Sequence, residues 1–219
     1  MQGQGHTADE HTTHEQHPGG NGHDHASWEQ RYRGAPALWS GRPNPPLLDE
    51  ATELSPGRAL DVGCGEGGDA LWLAGRGWQV TGLDWSEAAL ARAAEHAAAA
   101  GVTERVEWVR GDIDTWQPPV EAYDLVTAHF LHPAADQRRP LVARLAASVV
   151  PGGTLLWVGH AYNEARAAAW GGDRFVTATE VAADLDLPAW EVVVAAARPR
   201  SDGGHGDHEA DEVLVARRR

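Results

Sequence analysis

The 219-residue chain predicts an α/β fold, a three-layer sandwich around a mostly parallel seven-stranded sheet that finishes in an antiparallel C-terminal hairpin. Two observations carry this expectation. Short apolar runs alternate with helical patterns from Ala59 to Val158, and such alternation implies parallel strands, right-handed crossovers and helices on both faces of the sheet. The last two strand-like runs, Glu191–Ala197 and Glu212–Ala216, are joined without a helix and so can pair only as an antiparallel hairpin.

The elements follow in order. Residues 1–27 are rich in Gly, Gln, Thr and acids, nearly lack branched aliphatic side chains, and hold six of the twelve histidines (His6, His11, His14, His17, His23 and His25). Such a segment buries too little apolar area to offset its ordering entropy and is expected to be a disordered tail, leaving residues 28–219 as one domain. Trp28–Tyr32 reads as a short aromatic helix, and Trp39–Pro46 as a proline-stiffened stretch before a helix at Leu47–Leu54. Ala59–Val62 is the first strand, and Asp69–Arg76 a helix stopped by Gly77. Val80–Leu83 is the second strand. Ser86 caps an alanine-rich helix running to Ala100 and closed by Gly101. Val106–Arg110 and Asp124–Ala128 are strands three and four. A helix over Leu141–Val149, the turn Pro151–Gly153 and strand Thr154–Val158 come next. Thr177 and Glu180 form a capping box opening a helix to Asp186, and the last two strands flank a polar loop, Ser201–Asp211.

Composition excludes several chemistries. The chain has 32 acidic against 18 basic residues and a net charge of −14, a balance that repels nucleic acid. All its basic residues are arginine, which removes Schiff-base lysine catalysis and the phosphate loop that ends in Gly-Lys-Ser/Thr. One cysteine, Cys64, forbids an intrachain disulfide and argues against a thiolate metal cluster. No apolar stretch is long enough to span a bilayer and the N-terminus lacks signal-peptide character, so a cytoplasmic protein is expected, with no membrane partner. Oligomeric state is not readable.

Ligands of open parallel sheets bind beyond the carboxyl ends of the strands. The first strand here ends in Asp61-Val-Gly63-Cys64-Gly65-Glu66-Gly67-Gly68. Gly63, Gly65 and Gly68 also satisfy the dinucleotide fingerprint, and Asp84 at the end of strand two suits any ribose. Charge discriminates between the two ligands. Asp61 and Glu66 would repel a pyrophosphate, whereas they would attract the sulfonium and ammonium of S-adenosylmethionine.

The ordered set of segments resembles the class I S-adenosylmethionine-dependent methyltransferase family, with its Rossmann-like fold. Leu60–Gly67 is similar to its first motif and Gly82–Ser86 to its second-strand acid motif. Gly111-Asp112-Ile113, Tyr123–Val126 and Pro151–Gly153 resemble the landmarks that follow. The likeness spans Trp28–Arg219, with Trp28, Arg31, Tyr32 and Trp39 resembling a lid, and its nearest flavour is the small-molecule branch of tellurite-resistance and thiopurine methyltransferases. The resemblance implies that Gly63, Cys64, Gly65 and Gly67 lie along the cofactor, Asp61 holds its ammonium, Asp84 takes both ribose hydroxyls, and Asp112 accepts from the adenine amine. Trp85 and Ile113 then form apolar walls, and Thr127 lies beside the site.

Three histidines fall where the methyl group would sit: His129 and His132 after strand four, and His160 with Tyr162 after strand five. Each is a candidate general base, with His129 foremost. The implied reaction is in-line methyl transfer to a small-molecule acceptor. Residues 160–175, with Arg166, Trp170 and Arg174, are expected to form a substrate-side insertion or an ordinary surface helix. No internal metal site is expected. Two other readings stay open: an NAD(P)-dependent oxidoreductase, and a metal-binding or interaction protein acting through its histidine tail.

Overall fold

A computed structural model describes residues 25–164, 167–168, 174–200 and 210–219. Its strands are β1 (Arg58–Val62), β2 (Gln79–Asp84), β3 (Val106–Arg110), β4 (Tyr123–His129), β5 (Val149–His160), β6 (Trp190–Pro199) and β7 (Ala210–Arg218). They form one sheet in the order β3-β2-β1-β4-β5-β7-β6. The first five are parallel, and β7 lies antiparallel between β5 and β6. Strand order therefore reverses between β1 and β4, which opens a crevice beyond their carboxyl ends.

The described helices are α1 (His25–Gly34), α2 (Pro45–Ala51), α3 (Gly68–Gly75), α4 (Glu87–Ala100), α5 (Ala135–Ser148) and α6 (Ala178–Ala183). One face of the sheet packs Leu60, Val62, Val126 and Leu155 against Leu141 and Leu145 of α5 and Val181 of α6. The other packs Ala59, Leu125, Leu156 and Val213 against Leu47 of α2 and Leu73 of α3. Both layers are closed by short-range chemistry. Ser86 Oγ accepts from Ala89 N, Gly101 ends α4 at φ +69°, and the Thr177–Glu180 capping box is complete.

Several boundaries differ from expectation: α2 is Pro45–Ala51 where the sequence predicts Leu47–Leu54, and β5, β6 and β7 run longer than their apolar cores. Helix α1 includes His25, inside the segment read as tail, and the His25 ring stacks on Trp85. Helix α5 starts at Ala135, ahead of the expected Leu141, and takes in Pro140 at its sixth position, where the proline can make no hydrogen bond to Asp136 O and its ring crowds that carbonyl. The chain turns extended at Val149, and the expected turn at Pro151–Gly153 is an irregularity within β5, with Gly152 at φ +82°. Helix α6 ends at Ala183, short of Asp186. Arg166, Trp170 and residues 201–209 of the expected polar loop lie outside the described residues, as do His6, His11, His14, His17 and His23. No described helix is long and apolar enough to cross a membrane.

Gly82 shows how closely the site end of the sheet is packed. It lies opposite Trp108 of β3, and a Cβ there would sit 2.5 Å from the indole and 3.2 Å from Cys64 Sγ. Gly82→Ala is expected to cost about 1–3 kcal/mol through overpacking, read as a lower urea midpoint at unchanged m-value. An unchanged midpoint would show that the Trp108 ring has room to move.

Candidate cofactor and acceptor site

The glycine loop turns back over the ends of β1 and β2. Gly63, Gly65 and Gly67 have φ of +71°, +52° and +87°, the left-handed region that only glycine enters at little cost. Gly63 N and Cys64 N donate to Leu83 O at 2.8 and 3.0 Å, and Gly65 N donates to Asp84 Oδ2 at 2.9 Å. The other Asp84 oxygen accepts from Ser86 N, also at 2.9 Å. One carboxylate thus ties the loop to the start of α4, and each oxygen keeps a further lone pair. Burial raises the Asp84 pKa, against the lowering effect of these backbone donors. Gly67 serves packing too, since a Cβ there would meet Trp108 and Ala93. Cys64 is buried and its thiol pKa is pushed up by desolvation and then by Asp61 and Asp84, the opposite of what a nucleophile needs.

Beneath the loop is a buried polar cluster. Asp61 and Thr127 are register partners on β1 and β4, and Thr127 Oγ1 donates to Asp61 Oδ1 at 2.9 Å. His129, two residues on and facing the same side, bonds through Nδ1 to Asp69 Oδ2 at 2.6 Å. Asp69 also accepts from Asn44 N (2.7 Å) and Asn44 Nδ2 (2.8 Å). Asp61 Oδ2 and His129 Nε2 are buried side-chain atoms with no hydrogen-bond partner among the described residues. Desolvation and the nearby Asp69 raise the Asp61 pKa. Burial would lower the pKa of His129, but the carboxylates, Asp69 first, outweigh it and the net shift is upward.

The segment ahead of β1 covers the loop. Tyr32 Oη and Trp39 Nε1 lie against Gly65, hydrogen-bonded to each other at 3.1 Å, and Trp28 packs on both rings. Glu66, expected to draw a cationic ligand, instead holds this lid. Its carboxylate accepts from Leu38 N and Trp39 N at 3.0 Å and pairs with Arg92 at 2.6 Å. Burial opposes ionisation of Glu66, but these donors prevail and its pKa is lowered. Arg92 also donates to the carbonyls of Tyr32 and Ala35. Beyond the ends of β2 and β3, Trp85 is stacked by His25 at 4.4 Å, and His25 Nε2 lies 3.7 Å from Asp112 Oδ2. Ile113 packs against the core edge.

The histidines divide between two places. His132 and His160 stack at 5.0 Å, and Phe130 stacks on His160 at 4.5 Å. Together with Leu131, Trp157, Arg174 and Val176, the two histidines line a small cleft of about 10 Å³ at the ends of β4 and β5. His129 is in the buried cluster. Phe130 separates the two sets with φ +55°, an uncommon backbone for a bulky residue and one that functional sites often carry. Tyr162 is exposed, packed edge-on to Phe175.

Sequence reading missed Asp69, Asn44 and the Glu66–Arg92 pair. Asp69 had a legible signal: it lies four positions before Leu73, on the stripe of α3 that faces the core, where an unpaired acid would be costly. Asn44 and Arg92 had none, because their partners are 25 and 26 residues away.

Residues 59–153 match the family described as a methyltransferase domain. Thiocyanate methyltransferase 1 of Arabidopsis thaliana is 34% identical over 125 residues, 55% of this chain and 55% of that one. Trans-aconitate 2-methyltransferase of Paracidovorax citrulli (strain AAC00-1) is 38% identical over 117 residues, 52% of this chain and 43% of that one. The chain therefore spans about half the length of the curated relatives it matches. A solved structure described as "Conversion of a Disulfide Bond into a Thioacetal Group during Echinomycin Biosynthesis" shares the fold, with a TM-score of 0.68 at 24% identity over 88% of this chain and 91% of that one. Over residues 59–153 the chain is thus similar to a methyltransferase domain, set within a fold it shares with solved methyltransferase structures.

Replacing Glu66 by Gln is expected to loosen the lid, with backbone amides of Leu38 and Trp39 exchanging about tenfold faster in hydrogen-exchange measurements. In the wild type, ionised Glu66 supports the fold fully above its ordinary pKa of 4.5, and that support is lost as pH falls through its lowered folded value. Unchanged protection in the variant would contradict the lid assignment.

Proposed function

We propose that this protein binds S-adenosylmethionine across the carboxyl ends of β1, β2 and β3 and methylates a small molecule held in the His132–His160 cleft. The observation that carries this reading is the glycine loop pinned by Asp84, with the buried, unpartnered Asp61 Oδ2 beneath it. That donor and acceptor set fits a cationic nucleoside. It is ill suited to the pyrophosphate of a dinucleotide, which would meet Asp61 at short range in a poorly screened crevice.

Asp84 turns its free lone pairs to the ribose hydroxyls, Asp112 accepts from the adenine amine, and Trp85 and Ile113 flank the base. Gly63, Cys64, Gly65 and Gly67 bring backbone close to the cofactor, and Thr127 fixes Asp61. When bound, the cofactor supplies a methyl group on a sulfonium sulfur, displaced in line by the acceptor lone pair with S-adenosylhomocysteine as product. The chain's share of catalysis is alignment, which can supply much of the rate.

An acceptor that is already an anion gives up no proton. For a protonated acceptor, His160 or His132 takes the proton from the attacking atom. The names of the relatives, a thiocyanate and a trans-aconitate methyltransferase, together with Arg174 in the cleft wall, favour a small anionic acceptor. The −14 net charge argues against a nucleic-acid substrate, and a cytoplasmic location suits this chemistry.

Isothermal titration tests the reading. S-adenosylhomocysteine is expected to bind, NAD(P) is not, and Asp84→Ala is expected to weaken the former at least about tenfold, the scale of one lost charge-assisted hydrogen bond. Binding of NAD(P) without S-adenosylhomocysteine would move the protein to the oxidoreductase class. Unchanged affinity in Asp84→Ala would place the nucleoside elsewhere.

A further inference from the structure

We propose, on the basis of the S-adenosylmethionine reading above, that His129 is a cofactor-binding residue. Its Nε2–H donates to the carboxylate at the amino-acid end of the cofactor while Asp61 Oδ2 accepts from the ammonium, and Asp69 is the positioning residue that holds the imidazole. A buried donor or acceptor left unpaired costs as much as a lost hydrogen bond, and here two such atoms belong to neighbouring residues on one face of the sheet: Asp61 Oδ2 on β1 and His129 Nε2 on β4. An amino-acid zwitterion presents the complement, a cationic donor and an anionic acceptor on one carbon.

The protonation pattern agrees with this assignment. Asp69 accepts at His129 Nδ1, so the ring keeps a proton there, and Asp69 cannot rotate away because Asn44 engages both of its oxygens. Asp61 of β1, Asp69 of α3 and Asp211 of β7 all favour the imidazolium, whose second donor is then Nε2–H. Such a ring is a poor proton acceptor and a good carboxylate partner. It is also absent from the wall of the acceptor cleft, where His132 and His160 stand. His129 thus moves from the foremost general-base candidate to the cofactor side.

Three ligands separate the contributions: S-adenosylhomocysteine, its decarboxylated analogue S-adenosyl-3-thiopropylamine, and 5′-methylthioadenosine, which lacks the whole amino-acid end. The wild type is expected to prefer S-adenosylhomocysteine over the decarboxylated analogue by about tenfold or more. In His129→Ala that preference disappears, while 5′-methylthioadenosine affinity stays within about twofold. In Asp69→Asn the preference shrinks, and His129→Gln, which keeps an N–H donor, recovers part of it.

The wild type gives an independent reading that no folding defect can obscure: the imidazole 15N resonance of His129 Nε2 shifts with S-adenosylhomocysteine and not with the decarboxylated analogue. A preference that survives His129→Ala, a uniform loss for all three ligands, or an unmoved Nε2 resonance overturns the proposal and leaves the cofactor reading standing. A wild type that binds none of the three overturns both.

Discussion

A loop of glycines can fold back over the ends of a parallel sheet only if its buried N–H groups find acceptors: here Leu83 O takes Gly63 N and Cys64 N, Cys64 O takes Gly67 N, and carboxylates tie the loop to its surroundings. Asp84 takes Gly65 N and Ser86 N, and Glu66 takes Leu38 N and Trp39 N. The first joins the loop to β2 and α4, and the second joins it to the lid. Removing either carboxylate would leave desolvated donors unanswered, so the crevice, its cover and the helix that follows depend on one another. Arg92 makes the Glu66 contact affordable by neutralising it, since a lone buried acid would favour its protonated form and weaken as an acceptor.

The acids near the crevice therefore do different work, which the net charge does not reveal. Asp84 and Glu66 are structural acceptors as they stand, and Asp69 is an anchor for His129. Asp61 alone keeps a buried oxygen with no partner among the described residues, and it is the acid left for a cationic ligand. Asp9, Glu10, Glu15 and Asp24 fall before the first described residue. Of the acids the sequence places near the loop, one already spends its charge on the lid, so electrostatic attraction of the cofactor rests on fewer groups than the motif suggests.

Most of the fold was legible because its signals are local. Strand–helix alternation, Ser86, Gly101 and the Thr177–Glu180 box each declare themselves within a few residues, and the uncrossed connection to the last strand dictates antiparallel pairing. The misplaced boundaries occur where two local rules compete, as at Pro140, which can open a helix or lie in its early turns, and at Pro151–Gly153, which can turn the chain or bulge a strand. The candidate site was legible as a set of motif positions, which say where a side chain is and not what it faces. Asn44, Arg92 and the Asp69–His129 pair join elements distant in the chain, and single-sequence spacing carries no information about such partners. The contact of His25 was hidden for the same reason, since its partner Trp85 is sixty positions away.

The Asp84-pinned loop has the shape and charge to take an adenosyl cofactor. A crystal structure with S-adenosylhomocysteine tests it most directly. The account expects both ribose hydroxyls within about 3 Å of the two Asp84 oxygens, adenine between Trp85 and Ile113 beside Asp112, and the sulfur directed toward the His132–His160 cleft. A nucleoside bound away from Asp84, or a loop whose Gly65 N no longer faces that carboxylate, would contradict it.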